Sequence, residues 1–481
     1  MAEAAPDLAR PRRIHLVGAG GAGMSAIGLV LVAMGHRVTG TDVVETAVVP
    51  GLRAAGIEVA IVPAGSLFAA AADQRPDLIA HSTAFPPSPD DVQAAAVLGA
   101  EIVARAGILA GICAARRTIA VSGTHGKTST TAMVATMLAG AGADPSYLVG
   151  APLAGGGPAA RWVPGEWFVV EADESDGTFL ALGAETAVVT NIDEDHLDHW
   201  GTIDEIERGF DRFLAEATIR VVCIDDPGRD DGQAEPRALR LARVHGALTV
   251  GEAPEADVRI SELSVQRLGT SFRLCHGATD LGVVELATPG RHNARNAATA
   301  VATGMALGFD AARCRDAIGA YRGTARRFEV VGEAGGVTVV DDYAHNPGKV
   351  GALLRSAREA GWGRVVVVFQ PHRYTRTRDQ ARSFGRALGA ADVLVITDVY
   401  GAGEAAIDGV SGKLLVDAVL DEHPGTRVAW LPRLEDALAY LAGALRPDDL
   451  CLTVGAGDVG TLGPRLLVLL GGPSDQSDGE P

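Results

Sequence analysis

The sequence predicts an α/β protein built of mostly parallel sheets with helices on both faces. Two observations carry this. Short runs rich in Val and Ile alternate along the chain with longer stretches of helical apolar periodicity. Several of the short runs end in glycine-rich turns that open a helix, which is the junction used by nucleotide-binding sheets. The alternation falls into three blocks. The 481 residues are therefore expected to form three domains, over 1–113, 114–326 and 327–470. The Gly-, Ser-, Asp- and Pro-rich tail 471–481 is expected to be disordered.

In the first block, 14–17 reads as a strand, 18–23 as a glycine run, and the following residues through Met34 as an apolar helix. Further strands are expected at 37–40, ending near Asp42, and at 78–81. Gly18, Gly20 and Gly23 match G-x-G-x-x-G, and Asp42 follows Gly18 by 24 residues, as in the dinucleotide fingerprint. Gly455, Gly457 and Gly460 match it too. The pattern reports a tight turn able to approach a pyrophosphate and nothing finer. The first copy is read as a nucleotide or nucleotide-sugar site, the second as a structural turn.

The second block opens with a strand over 117–122, then Gly123-Thr124-His125-Gly126-Lys127-Thr128-Ser129, then a helix over 128–139. Backbone N–H groups at such a helix start favour phosphate. Lys127 is one of three lysines among 42 basic residues, the others being Lys349 and Lys413. A lysine kept in an arginine-biased chain implies a task arginine does not perform, here a compact charge on outer phosphates, with a Thr hydroxyl available to Mg²⁺. The strict phosphate-loop pattern wants glycine where Val121 stands, so this is a shortened relative; the bland alternative is a helix-capping turn.

Two acidic segments follow apolar strands in this block. The strand over 167–171 ends at Glu171, which opens Glu-Ala-Asp-Glu-Ser-Asp. A carboxylate there suits Mg²⁺ beside Thr128, while Asp173, Glu174 and Asp176 read more weakly, as a solvated loop. The strand over 187–190 leads into 191–199, NIDEDHLDH, which brings His196 to the same rim. Zinc is disfavoured because no cysteine is near. Another strand is expected at 221–224. Asn293 and Asn296, at i and i+3 on a helix start, suit an adenine edge or are simply a polar helix start.

The third block carries strands at 337–340, 365–369, 393–396 and 450–454. After the first comes Asp341-Asp342-Tyr343-Ala344-His345-Asn346-Pro347; after the second, Gln370-Pro371-His372-Arg373-Tyr374-Thr375-Arg376-Thr377-Arg378. Arginines grouped at a strand end make a local anion site, since the guanidinium forks onto carboxylates.

Net charge is −18, which argues against nucleic acid and anionic membranes as partners. Five scattered cysteines without a CxxC pair fit reduced thiols in a cytoplasmic protein, not a zinc site or disulfide frame. No signal peptide and no membrane span are evident.

Taken together in order and spacing, these motifs resemble the Mur ligase family over nearly the whole chain. They are 18–28 (GAGGAGMSAIG), 123–129 (GTHGKTS), 171–176 (EADESD), 191–198 (NIDEDHLD), 289–296 (PGRHNARN), 326–328, 341–347 (DDYAHNP), 369–379 (FQPHRYTRTRD) and 398–404 (DVYGAGE). His125 and Ser175 fit the branch that adds L-alanine to UDP-N-acetylmuramic acid; another Mur-type ligase, such as one taking a murein tripeptide, is the alternative.

The resemblance implies a Rossmann-like N-terminal UDP-sugar domain, a central P-loop ATPase-like domain and a Rossmann-like C-terminal domain receiving the amino acid. ATP would phosphorylate the lactyl carboxylate and the alanine amine would displace phosphate. Gly123, Thr124, His125, Gly126, Lys127, Thr128 and Ser129 would hold ATP, with Asn293 and Asn296 at adenine and Arg327 and Asp342 completing the nucleotide site. Thr128, Glu171 and His196 would hold Mg²⁺. Gly18, Gly20, Gly21, Gly23, Asp42 and Ser82 would bind the UDP-sugar, and Tyr343, His345, Arg373 and Arg376 the muramyl group and the alanine carboxylate. Lys127, His196, His345 and Arg373 are the expected catalytic set, in a monomer or homodimer.

Three departures are visible. No lysine lies between Lys127 and Lys349, so the carbamylated lysine of several sister ligases is excluded. Gly107 stands where the family often has an acid, and Asn346 where a second His is common. Two readings from other classes compete: a nicotinamide dehydrogenase on residues 18–23, and a non-catalytic nucleotide sensor. The first leaves the phosphate loop and arginine motif unexplained; the second predicts binding without ADP release.

Overall fold

The computed structural model describes residues 5–195, 197–225 and 235–471. It contains three sheets. In the first, five parallel strands run Glu58–Ile61, Arg37–Asp42, Arg13–Val17, Leu78–His81, Glu101–Ala104 across the sheet. The central strand is buried from Ile14 to Val17, as expected for a strand covered on both faces.

The second sheet has ten strands. Its parallel heart is Leu248–Gly251, Ile219–Cys223, Thr186–Val189, Arg117–Ser122, Trp167–Glu171 and Ser146–Leu148. One edge closes with the short antiparallel strand Ala160–Arg161; the other extends through Val258–Gln266, Gly269–His276 and Thr279–Leu286. These last three are absent from the sequence reading. Their buried and exposed residues alternate, so they offer no solid apolar run.

The third sheet has six strands in the order Glu329–Ala334, Val337–Asp342, Asp449–Val454, Arg364–Phe369, Val393–Ile396, Arg427–Trp430. All pair in parallel except the first, which is an antiparallel edge. Val365 to Phe369 are all fully covered, which is what a run of four valines and a phenylalanine requires.

By contacts the chain divides into two compact units. One comprises Met1–Glu262, Phe272–Val284 and Ala294–Tyr321, and holds the first sheet and the heart of the second; the other comprises Leu263–Ser271, Glu285–Asn293 and Arg322–Pro481, and holds the third. Among the described residues no helix is long and apolar enough to cross a membrane.

Candidate active site

Register sets the rim of the second sheet. Val121 pairs with Glu171 and Ser122 with Val189, so the loops after three neighbouring strands leave the sheet level with one another, at the carboxyl ends where open α/β sheets bind ligands. The first loop runs from Gly123 into the helix Lys127–Gly140. Gly123 and Gly126 have φ of 133° and 84°, backbone that side-chain-bearing residues avoid. A Cβ at Gly123 would lie 2.1 Å from Thr190 Oγ1, and one at Gly126 2.8 Å from Asn296 Oδ1.

The loop is fastened by the segment after the next strand. Thr190 Oγ1 and Asn191 Nδ2 both donate to the carbonyl of His125, at 2.6 and 2.8 Å, and His125 N–H donates to Asn191 Oδ1 at 3.0 Å. Asp193 N–H donates to Thr124 Oγ1 at 2.9 Å, and His125 Nε2 lies 3.3 Å from Asp193 Oδ2. Part of the NIDEDHLD motif thus holds the phosphate loop in shape. His196 lies outside the described residues.

Lys127 Nζ sits 2.6 Å from Glu174 and donates to Gly123 O at 3.0 Å. Burial opposes its charge, but Glu174, Asp173 and Glu171 prevail and hold the ammonium above its ordinary pKa. Thr128 Oγ1 donates to Glu171 Oε1 at 3.1 Å, while Glu171 Oε2 accepts from Gly150 N–H at 2.8 Å. A Cβ on Gly150 would fall 2.5 Å from that oxygen. Ser129 lies in the first turn of the same helix, one residue after Thr128.

Four buried polar atoms around this loop, Ser122 Oγ, His125 Nδ1, Thr130 Oγ1 and Asn296 Nδ2, have no hydrogen-bond partner among the described residues. Most buried polar groups find a partner, so these atoms are open to water or to a bound molecule. Asn293, on the same helix as Asn296 (Arg291–Ala306), instead spends its amide on Pro289 O at 2.8 Å.

In the first sheet, Gly18 has φ of 81°, and a Cβ there would meet Ser82 and Phe85 at 2.9 Å. Gly20 N–H donates to Asp42 Oδ2 at 2.7 Å, so Asp42 braces the glycine turn. Gly21 caps the helix Ala22–Ala33. Gly23 faces Arg105, whose Nη1 would be 2.9 Å from a Cβ there. The same guanidinium reaches Asp176 at 3.4 Å and Asp173 at 3.9 Å. Arg105 therefore links the glycine turn to the acidic loop beside Lys127.

A cavity of about 540 Å³ is lined by His15, Thr41, Arg53 and Gln74 among others. His15 within it is bonded to Thr39 and Thr41 at 2.8 and 3.1 Å, and burial pushes its pKa down to about 4. It is a satisfied core histidine.

The third sheet has its own rim, level at Asp342, Phe369, Val454 and Ile396. Asp342 accepts from the N–H groups of Phe328 and Ala344, both at 2.8 Å. Burial pushes its carboxyl up, although Arg327 and those N–H groups pull it down. Arg326 bonds Asp341 at 2.8 Å, and the guanidinia of Arg326 and Arg327 each lie 5.3 Å from the Tyr343 ring. His345 Nδ1 is 2.9 Å from Tyr343 O, and only an N–H can face a carbonyl, so Nε2 is left as the acceptor. Burial drives this imidazole down to about 3, hence neutral. Arg373 takes φ 71°, ψ 134°, a backbone region easy only for glycine. Arg376 lies in the following helix, Tyr374–Asp379.

The second glycine fingerprint is filled by the protein itself. A Cβ at Gly455 would meet Gln370 O at 2.8 Å, at Gly457 Tyr400 Cγ at 2.6 Å, and at Gly460 Asp341 at 2.9 Å. It is a packing turn, as the sequence reading has it.

Sequence reasoning gave little weight to Glu174 and no role to three other residues that the geometry brings forward. Glu174 and Arg105 carry weak signals, an acid in an acidic run and one arginine of many. His372 stands inside the arginine motif. Gly150 has no local signature.

Comparison with known proteins gives three family-level matches: "Mur ligase family, catalytic domain" over residues 13–117, "Mur ligase middle domain" over 121–304 and "Mur ligase, glutamate ligase domain" over 326–457. The chain is 42% identical over 467 residues to UDP-N-acetylmuramate–L-alanine ligase of Acidothermus cellulolyticus, covering 96% of this chain and 95% of that protein. It is likewise 42% identical over 477 residues to that of Kineococcus radiotolerans, covering 97% and 98%. The crystal structure of UDP-N-acetylmuramate–alanine ligase from Thermotoga maritima superposes with a TM-score of 0.76 at 27% identity, over 95% of this chain and 98% of that one. A murein peptide ligase from Psychrobacter arcticus shares the fold, with a TM-score of 0.65 at 22% identity over 96% and 99%.

Proposed function

The chain belongs to the Mur ligase family, and from that premise we propose that it joins L-alanine to the lactyl carboxylate of UDP-N-acetylmuramic acid, converting ATP to ADP and phosphate. The observation that carries the ATP half is the phosphate loop itself. Its glycines leave no room for side chains, its lysine is held charged, and unpartnered buried polar atoms surround it. The acceptor rests on likeness to L-alanine ligases along almost the full length of both chains.

A free carboxylate resists attack by an amine because its charge repels the nucleophile and oxide is a poor leaving group. Transfer of the γ-phosphoryl group from ATP gives an acyl phosphate. The amine then adds to the carbonyl carbon, and the tetrahedral intermediate expels phosphate. The protein's task is to hold anions together and stabilise developing charge. The N–H groups at the start of the helix Lys127–Gly140 and the Lys127 ammonium meet the phosphates. Arg105, between the glycine turn and the acidic loop, is placed to steady the UDP-sugar end. Gly18, Gly20, Gly21, Gly23 and Ser82 would line the sugar-nucleotide's diphosphate. Asn296 would use its unpartnered amide on the nucleotide, with Asn293 on the same helix.

Mg²⁺ fits the donor set. Thr128 and Glu171 offer two hard oxygens 3.1 Å apart, and His196, the third of the expected ligands, lies outside the described residues. Two such oxygens suit an ion that keeps waters and takes phosphate oxygens. When bound, it would polarise the transferring phosphoryl group. On the third sheet, the Arg373 and Arg376 forks would take the amino acid's carboxylate, Tyr343 would line the muramyl side, and neutral His345 would present Nε2 to the amine.

The test is a coupled ADP-release assay over a panel of amino acids and peptides. Release should need UDP-N-acetylmuramic acid and L-alanine together, and Lys127→Ala should abolish it. Release driven better by a preformed peptide than by L-alanine would move the chain to a sister activity.

A further inference from the structure

His372 and Arg376 face each other at 3.3 Å, Nδ1 to Nη1. A guanidinium nitrogen only donates, so Nδ1 of His372 must accept, which requires a neutral ring with its proton on Nε2. The ring is held in place from outside. It stacks on Tyr400, with planes 11° apart and centroids 5.9 Å apart. Tyr400 is in turn fixed by its backbone, accepting from Arg373 N–H at 2.9 Å and donating to Pro371 O at 2.8 Å. Gly457 supplies the space: a side chain there would run into the Tyr400 ring.

Resting on the reading of Arg376 as a fork for the acceptor's carboxylate, we propose that His372 is a positioning residue: its unprotonated Nδ1 fixes the Arg376 guanidinium in the orientation that receives the amino acid. An arginine side chain has many rotamers to lose on binding a carboxylate, and a fixed acceptor removes part of that loss beforehand. Burial, and then Arg376 and Arg373, push His372 down to about 4, so the ring is neutral at the pH of the cytoplasm. His345, whose ring centroid is 5.6 Å away, has the opposite tautomer, with Nε2 as its acceptor.

The full-length enzyme carries the test. Asn at this position puts an acceptor oxygen near the place of Nδ1, whereas Gln puts it near Nε2; both remove the stacking. His372→Gln should raise the KM for L-alanine about 10-fold with kcat little changed, and His372→Asn should stay near wild type. In an Arg376→Ala background, His372→Gln should add nothing, because its effect passes through Arg376. Equal effects of Asn and Gln, or full additivity in that background, overturn the inference while the carboxylate fork stands. An Arg376→Ala enzyme with unchanged KM overturns both. Should a variant not fold, the ¹⁵N spectrum of histidine-labelled wild type still decides. A neutral Nε2–H signal for His372 supports the inference, and an Nδ1–H tautomer overturns it.

Discussion

The ammonium of Lys127 lies 2.6 Å from the Glu174 carboxylate, with side-chain exposures of 13% and 3%. Removing one member of so buried a pair strands the other charge, at a cost of about 3–5 kcal/mol. Lys127→Ala should therefore abolish ADP release and also lower the urea midpoint. The double variant Lys127→Met/Glu174→Leu should regain much of the midpoint and none of the activity. Parallel recovery of both would mean that the lysine acts only through folding.

Glu171 is aimed by a residue with no chemistry of its own. Gly150 donates its N–H to Oε2 at 2.8 Å and leaves no room for a methyl group. Gly150→Ala should displace the carboxylate from Thr128 and raise the Mg²⁺ concentration for half-maximal rate about 10-fold or more, as disturbed support of a metal ligand does. A Mg²⁺ titration of ADP release checks it. An unaltered half-point would remove Glu171 from the metal's ligands.

Four described histidines titrate low, each chiefly through burial: His15 at about 4, His372 at about 4, His345 at about 3, and His36. Their unfolded value is 6.5. Between 6.5 and 4 the unfolded chain binds the extra protons, so stability is complete above 6.5 and falls as pH drops towards the folded values. Buried His15 contributes a slope of at most about 1.4 kcal/mol per pH unit, and the partly exposed His345 and His372 less. His15→Gln should be less stable at pH 7, yet lose less on going to pH 5. The apparent Tm of both proteins at the two pH values measures this, and equal losses would show that His15 titrates normally.

The heart of each sheet was legible because strands covered on both faces have to be apolar runs, and each ends where glycine or charge begins. The strand 117–122 and the loop after Ser122 are examples. The strands Val258–Gln266 to Thr279–Leu286 escaped because one face meets water, and their charges hide the period of two. Residue types announced Lys127, Thr128, Glu171 and the arginine motif. Pairings did not follow from type. Glu174 rather than Asp173 bonds Lys127, and Asn296 rather than Asn293 lies against Gly126. Such choices depend on which atoms the folded backbone brings within about 3 Å, and local spacing does not encode that.

Arg373, which caps the helix Tyr374–Asp379 after the strand Arg364–Phe369, separates stability from function. Its φ of 71° with ψ of 134° is backbone strain of about 1–3 kcal/mol for a residue with a side chain. Thr377 lies one helical turn on, bonding to the Arg373 carbonyl at 2.8 Å, and the Arg373 N–H is held by Tyr400 O at 2.9 Å, so the surroundings impose the conformation. Glycine adopts it freely but has more unfolded freedom to lose, about 0.5–1 kcal/mol. Arg373→Gly should therefore leave the Tm unchanged or slightly raised. Without the guanidinium, kcat/KM for L-alanine should fall by about 100-fold or more, since a charge-assisted bidentate pair is lost. Arg373→Ala keeps the strain and loses the same fork, so it should match the glycine variant in activity and fall below it in Tm. A glycine variant that is both unstable and active would reverse the assignment, making Arg373 a structural residue with no part in holding the amino acid.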